Sequence, residues 1–199
     1  MTQATEVPAA LRIAVPADDL CLRFINTRYW RGMAEPTEEL REPSDLQRWL
    51  QAEAGLPPES VRQAGDAFAD ALRLRETLFR LFVALAAGKP GAAADVAALN
   101  AALATVPART CITLSAPSGW LVPELRPAAL LAPVLWSAGD LALGPRAGRV
   151  RQCANPACQW LFLDDSKSGN RRWCSMSACG NRAKAHRHYL KQKGQLAAG

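Results

Sequence analysis

Apolar residues recur every three or four positions over most of the first 145 residues, which is the spacing of amphipathic helices. The longest such stretch is followed by Gly88, a residue type that commonly ends helices. Another begins at Ser44-Asp45-Leu46-Gln47, which fits a capping box. The predicted helices run from Pro16 towards Trp30, from Ser44 to Gly55, from Ser60 to Ala87, from Asp95 to Val106 and from Ala128 to Leu143.

A strand pattern interrupts these helices after residue 109. Thr110–Leu114 alternates and contains β-branched residues, which predicts a half-buried strand. A turn at Pro117-Ser118-Gly119 separates it from Trp120–Leu125, which predicts a second strand. Because Pro123 donates no backbone hydrogen bond, that strand belongs at a sheet edge. The N-terminal part therefore contains one small β-hairpin.

The charge of the chain divides it in two. Residues 146–199 contain eleven Lys and Arg against two Asp and Glu, a net charge of +9, whereas the preceding residues carry −3. A segment this basic suits a polyanion such as nucleic acid, although a solvated tail has the same composition. Gly144–Gly148 has the composition of a linker. We therefore predict a mainly α (α+β) fold, with a helical domain over residues 1–145 and a small hairpin-plus-helix module over 146–199.

Four of the six cysteines lie in the basic segment, as two C-x4-C pairs with fifteen residues between them. They are Cys153, Cys158, Cys174 and Cys179. Four thiolates at this spacing can surround Zn²⁺ as a tetrahedron with no position left for water, which predicts one structural zinc per chain. Disulfides or free thiols are the alternatives, and His186 and His188 are rival ligands. Cys21 and Cys111 stand in apolar patterns, which predicts buried thiols.

The second cysteine pair continues into Gly180-Asn181-Arg182, and this segment resembles the CGNR zinc finger. Residues 20–28 (LCLRFINTR) and 45–50 (DLQRWL) resemble the ABATE domain, which usually accompanies that finger. The two resemblances together cover nearly the whole chain. They imply a bacterial transcription regulator linked to stress.

A basic helix is predicted from Asn181 to about Lys193, with several cationic side chains on one face. The residues expected to bind nucleic acid are Arg171, Arg172, Lys184, Arg187, His188 and Lys191. Three residues are expected to support the turns that carry the four cysteines, which are called the zinc knuckle below. Gly180 would allow a close approach or an unusual backbone angle, and Asn181 would cap the helix. Arg182 would hydrogen-bond loop carbonyls, and direct contact with nucleic acid is the alternative role for this residue.

A second polar cluster lies in the N-terminal part, within the first predicted helix. It contains Arg23, Asn26, Thr27, Arg28 and Arg31. On a continuous helix, Arg23 and Thr27 share one face, and Arg28 and Arg31 share another. The cluster is a candidate pocket for a small-molecule effector, and the alternative is a solvated basic side of a helix.

These features favour a DNA-binding transcription regulator whose N-terminal domain senses a ligand or forms a homodimer. The alternatives are an RNA-binding module and a protein-interaction adaptor braced by zinc. An enzyme is not expected, because the chain lacks a glycine-rich phosphate loop, a Gly-x-Ser-x-Gly elbow and an open zinc position. No apolar run reaches the ~18–20 residues that span a membrane, and no secretory signal is apparent. We therefore expect a cytoplasmic protein without a membrane partner.

Overall fold

The structure, a computed structural model, describes residues 11–122 and 125–185. The helices are α1 (Leu20–Ile25), α2 (Pro43–Ala52), α3 (Ala64–Ala86), α4 (Ala93–Leu103) and α5 (Ala132–Leu143). The strands are β1 (Leu11–Ile13), β2 (Arg28–Tyr29), β3 (Thr37–Glu38), β4 (Cys111–Thr113), β5 (Gly119–Val122), β6 (Val150–Gln152) and β7 (Leu161–Leu163). Short 3-10 turns occupy Pro127–Ala129 and Ala147–Arg149. A π-helical turn at Met176–Gly180 leads into helical residues 181–185.

Helix α3 lies at the centre of the fold, in contact with α1, α2 and α4. Its buried face includes Ala71, Leu78 and Phe82, on the apolar side that the sequence predicts. Helices α1 and α5 pack together and add Phe24 and Leu135 to the same core. The predicted α+β class is confirmed. None of the described helices has the length and apolar character needed to cross a membrane.

The first helix is shorter than predicted. It ends at Ile25, and the Thr27 hydroxyl donates a hydrogen bond to the Phe24 carbonyl oxygen, 2.8 Å away. The chain then enters β2, which pairs antiparallel with β3. The expectations that Arg23 and Thr27 share one helix face and that Arg28 and Arg31 share another are therefore wrong, since Thr27, Arg28 and Arg31 all follow the helix.

Helix α2 begins one residue earlier than predicted and uses a different cap. The Asp45 carboxylate accepts hydrogen bonds from the backbone N–H groups of Arg41 (2.8 Å) and Glu42 (3.1 Å). Glu42 is the N-cap, and Pro43 occupies the first helical position, where its fixed φ favours a helix start. The capping box is formed by Glu42 and Asp45, so its predicted assignment to Ser44 and Gln47 is wrong.

The predicted hairpin is present as β4 and β5, with Ile112 opposite Trp120. Strand β1 pairs with the other side of β5, giving a three-stranded antiparallel sheet in the order β1-β5-β4. The expectation that the second strand lies at a sheet edge is therefore wrong: β5 is central, and it ends at Val122, before Pro123. The sequence did not predict β1, which is only three residues long. Cys21 is buried as expected, but Cys111 is exposed on the outer strand β4, so its predicted burial is wrong.

The antiparallel hairpin β6–β7 packs on the N-terminal core. Val150 and Leu161 are buried in the same hydrophobic cluster as α1 and α3. Arg146 donates hydrogen bonds to the carboxylates of both Asp18 and Asp165, one on each side of the predicted domain boundary. The 3-10 turn at Ala147–Arg149 also contacts α3, so the stretch from Gly144 to Gly148 is packed rather than a free linker. The boundary at residue 145 stays a prediction.

Candidate metal centre and the surface around it

The sulfur atoms of Cys153, Cys158, Cys174 and Cys179 lie within 4.8 Å of one another. The Cys158–Cys174 and Cys174–Cys179 sulfur separations are 3.7 and 3.8 Å. Sulfurs bonded at about 2.3 Å to one tetrahedral zinc lie about 3.8 Å apart, so the spacing matches a zinc tetrathiolate. The four cysteines form the site for one structural zinc.

Asn155 organises the turn between the first two cysteines. Its carbonyl oxygen accepts a hydrogen bond from the Cys158 amide (2.9 Å), and its side-chain amide donates to the Cys179 sulfur (3.5 Å). The Cys153 amide donates to the Trp160 carbonyl oxygen (2.8 Å), which fixes the cysteine at the end of β6. Asn155 therefore connects the two cysteine pairs, a contact that the sequence alone did not reveal.

The second pair is held by the π-helical turn, whose N-cap is Ser175. The Ser175 hydroxyl accepts a hydrogen bond from the Ala178 amide (3.4 Å). Asn181 was expected to cap the helix, but it has helical dihedrals (φ −68°, ψ −39°) and lies inside the helical run. Its side-chain amide donates to the Ser177 carbonyl oxygen (3.4 Å). The N-cap of this helical segment is therefore Ser175, which precedes Cys179, and not Asn181, which follows it.

Gly180 has a helical conformation and closely approaches one side chain. A Cβ at this position would lie 2.8 Å from the sulfur atom of Met176. A close approach and an unusual backbone angle were the two reasons predicted for a glycine at this position. The structure shows the close approach, whereas the backbone angles of Gly180 are helical.

Burial and mutual proximity shift the pKa values of three of the thiols, Cys158, Cys174 and Cys179. Burial, followed by the charge of Cys153, raises the pKa of Cys158 to about 12. The pKa of Cys174 is raised by burial and then by Cys158. Burial also acts to raise the pKa of Cys179, but hydrogen bonds from Asn155 and from the neighbouring thiols lower it overall. Four thiolates can coexist here only when a cation compensates their charge, which is what a zinc ion supplies.

Asp164 fixes the loop between the two cysteine pairs. This fully buried residue accepts hydrogen bonds from the Ser166 hydroxyl (2.5 Å) and amide (3.0 Å) and from the Arg171 amide (2.8 Å). The Ser166 hydroxyl makes the largest contribution to lowering the pKa of this carboxyl, against the opposing effect of burial. One ionised carboxylate thus joins the two ends of the loop.

The two arginines after this loop have different surroundings. The Arg171 guanidinium donates to the Cys174 carbonyl oxygen (2.6 Å) and lies 4.7 Å from the Phe162 ring centroid. The Arg172 guanidinium lies 5.5 Å from the Trp173 ring centroid and donates no hydrogen bond to a described protein group. Arg171 therefore braces the knuckle, whereas Arg172 is available to an external anion.

A loop of the N-terminal part lies against the zinc knuckle. Trp30 has a positive φ of 54°, and its ring stacks under the Arg182 guanidinium at 4.6 Å. The Gly32 amide donates to the Ala157 carbonyl oxygen (3.2 Å), and a Cβ at Gly32 would lie 1.9 Å from the Pro156 carbonyl oxygen. Arg182 was expected to donate to loop carbonyls, but in the described structure its guanidinium stacks on Trp30 instead.

The basic surface is only partly within the described residues. Lys184 is described and exposed, whereas Arg187, His188 and Lys191 lie outside the described residues, as does His186. Between residues 146 and 185, four cationic side chains donate no hydrogen bond to the part of the chain that the structure describes. They are Lys167, Arg172, Arg182 and Lys184; the other arginines there donate to carboxylates or backbone carbonyls.

The five residues of the predicted N-terminal pocket do not surround one cavity. Arg23 binds Asp19 and Glu53 (both 3.1 Å) at the surface, and together with Asn26 it borders a cavity of about 410 Å³ between α1 and β7. Thr27 is buried just after the end of α1, where its hydroxyl oxygen accepts a hydrogen bond from Arg75. Arg28 and Arg31 point elsewhere, towards Glu76.

Glu76 belongs to an ionic network that the sequence analysis did not identify. Arg31, whose side chain is 7% exposed, donates to Glu76 (2.6 Å) and lies 4.0 Å from the Phe79 ring centroid. The buried Arg75 donates to Glu76 (3.1 Å) and to Glu38 (2.6 Å). The partners come from separate segments, so no local spacing in the sequence reveals them. The network anchors the loop that carries Trp30.

Comparison with known families agrees with this architecture. Residues 18–145 match ABATE, described as "Putative stress-induced transcription regulator", and residues 149–192 match the CGNR zinc finger. Neither description names an enzymatic activity. A search of curated proteins found no match. Since the first match spans more than half of the chain and the second contains the four-cysteine site, the protein belongs to the ABATE family and carries a CGNR zinc finger.

Proposed function

We propose that this protein regulates transcription by binding DNA through the surface around its zinc site. One observation carries the proposal: Arg172, Arg182 and Lys184 are exposed on the zinc module and donate no hydrogen bond to any of residues 11–122 and 125–185. Cations without protein acceptors can donate to phosphate oxygens without first breaking an ion pair. Relative to the sequence prediction, this assigns Arg182 to phosphate contact and Arg171 to support of the knuckle.

The test is a salt titration of DNA binding, using the zinc-loaded full chain because the hairpin shares the N-terminal core. Fluorescence anisotropy with a labelled duplex gives the slope of log K against log salt. Each phosphate contact contributes about −0.9 to that slope. The Arg172/Arg182/Lys184→Gln triple variant should therefore bind more weakly, with a slope about 2.7 smaller. The control variant Arg62/Lys89/Arg126→Gln removes three exposed charges from the N-terminal part and should retain the wild-type slope.

The outcome separates this proposal from its alternatives. Tighter binding of single-stranded RNA than of duplex DNA, lost in the same triple variant, would favour an RNA-binding module. Absence of binding to either nucleic acid, with zinc retained, would favour an interaction adaptor braced by zinc. The homodimer and the cytoplasmic location stay predictions, and sedimentation and cell fractionation check them.

A sensing role is proposed for the cavity of about 410 Å³ between α1 and β7. Arg23 and Asn26 from the N-terminal part border it together with Arg146 and Trp160, so a ligand there would contact both parts of the chain. A thermal-shift screen of small metabolites tests this role, with Trp160→Ala as the variant that should lose the shift. Stabilisation unaffected by this substitution would place the ligand elsewhere.

A further inference from the structure

A second cavity, of about 690 Å³, lies on the zinc module itself. Its size is within the range of about 300–1,000 Å³ that is typical of small-molecule sites. The walls are formed by the turn 154–157, by Trp173 and by Ala183 in the helical residues after the zinc site. Most of this lining is apolar, and several of its residues are alanines, whose short side chains leave the space open.

Two guanidiniums and one zinc ligand, Cys179, lie among the described lining residues of this cavity. Arg172 and Arg182 line it, and no carboxylate is present among its described lining residues. Both guanidiniums lie over aromatic rings, Arg172 over Trp173 and Arg182 over Trp30, and neither donates a hydrogen bond to a residue that the structure describes. An apolar slot with two available guanidiniums fits a ligand that has a flat apolar body and a negative charge.

Trp173 indicates which kind of flat apolar group the ligand carries. Its indole is partly exposed in the cavity, and aromatic side chains of this kind are stacking platforms for nucleobases. We propose that this cavity binds one nucleotide, with its base against Trp173 and its phosphate between Arg172 and Arg182. Where the nucleotide belongs to a DNA strand, this inference rests on the proposed function, and the base must be unpaired to enter the slot.

The experiment compares three ligands on the zinc-loaded full chain: a fully paired duplex, the same duplex with one unpaired thymidine, and free thymidine monophosphate. The unpaired nucleotide should strengthen binding about tenfold over the paired duplex, as expected for one base–aromatic stack. Ala154→Leu fills the cavity from an exposed position and should remove this preference while preserving duplex affinity. Ala183→Leu is a second filling variant, and Ala178→Leu, exposed but outside the cavity, is the matched control.

Charge variants test the phosphate contact. Thymidine monophosphate should bind more tightly than thymidine, and Arg172→Gln or Arg182→Gln should remove the difference. Lys167→Gln removes a cation that lies outside the cavity and has no described hydrogen-bond acceptor, and it should leave the difference unchanged. Metal analysis of each variant verifies that zinc is retained.

The possible outcomes are distinct. Binding of the monophosphate without preference for the unpaired thymidine supports a free nucleotide as the ligand. Monophosphate binding without duplex binding supports the cavity assignment and contradicts the proposed function. Equal affinities for the two duplexes together with no monophosphate binding overturn the inference, while the proposed function stands. A preference that survives both filling variants also overturns it.

Discussion

The side chain of Asn26 forms two hydrogen bonds with the backbone of Leu161. Its amide group donates to the Leu161 carbonyl oxygen (2.8 Å), and its oxygen accepts from the Leu161 amide (3.2 Å). Leu161 lies in β7, and these groups point away from its partner strand β6. Asn26, which follows α1, therefore forms the backbone hydrogen bonds at the outer edge of the β6–β7 hairpin that a third strand would otherwise form.

Replacing this asparagine should destabilise the whole protein. Asn26→Ala leaves a buried N–H and a buried C=O of Leu161 without partners, which should cost about 2–4 kcal/mol of unfolding free energy. Urea denaturation measures the loss. Asn100→Ala, at an exposed site on α4, is the control and should change stability by less than about 0.5 kcal/mol. Equal effects of the two substitutions would show that the Asn26 contacts contribute nothing.

Zinc should be present at one ion per chain and should be lost on substitution of any ligand. Cys153→Ser removes one of four thiolates, so metal analysis should show loss of most of the bound zinc. Since Leu161 and Val150 belong to the main core, the melting temperature of the full chain should fall as well. Cys111→Ser changes an exposed thiol outside the site and should preserve both zinc and stability. Retention of stoichiometric zinc by Cys153→Ser would contradict the assignment.

The contact between the N-terminal loop and the knuckle leaves no room for a side chain at Gly32. Gly32→Ala places a Cβ 1.9 Å from the Pro156 carbonyl oxygen, so one backbone must move. Overpacking of this kind typically costs about 1–3 kcal/mol. Gly139→Ala is a matched control in α5, where a Cβ meets nothing within 4 Å and helix propensity favours alanine. A Gly32→Ala variant as stable as Gly139→Ala would argue against the contact.

Glu76 should make stability depend on acid pH. Burial acts to raise the pKa of Glu76, but hydrogen bonding and charge from Arg31, aided by Arg75, lower it below the ordinary 4.5. Because the folded-state pKa is depressed, the stabilisation is fully present above the unfolded-state value and is lost as the pH falls through the folded-state value. Arg28 also faces this carboxylate, 3.8 Å away.

Glu76→Gln leaves the buried Arg31 without its counter-charge. The expected loss is about 1–3 kcal/mol at neutral pH, below the range for fully buried pairs because Glu76 is partly exposed. The difference from wild type should shrink as the pH falls below about 4.5. Asp70→Asn, which removes the exposed partner of Arg73, should cost at most about 1 kcal/mol. Urea denaturation at several pH values measures both, and a Glu76→Gln difference independent of pH would contradict the expectation.

The zinc ligands and the long helices were predictable because their signals are local. Four cysteines at short spacing and apolar residues at helical spacing can be recognised without a fold. The end of α1 was not predictable, because it depends on a residue far along the chain. The buried Arg75 donates a hydrogen bond to the Thr27 hydroxyl oxygen (3.0 Å) and so helps to fix the non-helical conformation that follows Ile25. The distinct surroundings of Arg171 and Arg172 likewise depend on which carbonyls and rings the fold places beside each guanidinium.

The packing of the zinc module against Asn26, Trp30 and Gly32 has a consequence for engineering. A zinc finger joined by a flexible tether can be exchanged between proteins as a cassette. Here the finger rests on a docking surface that belongs to the other half of the molecule. A chimaera that receives only residues 146–199 would acquire the metal ligands but not that surface, so a successful graft must transfer residues 26–32 as well.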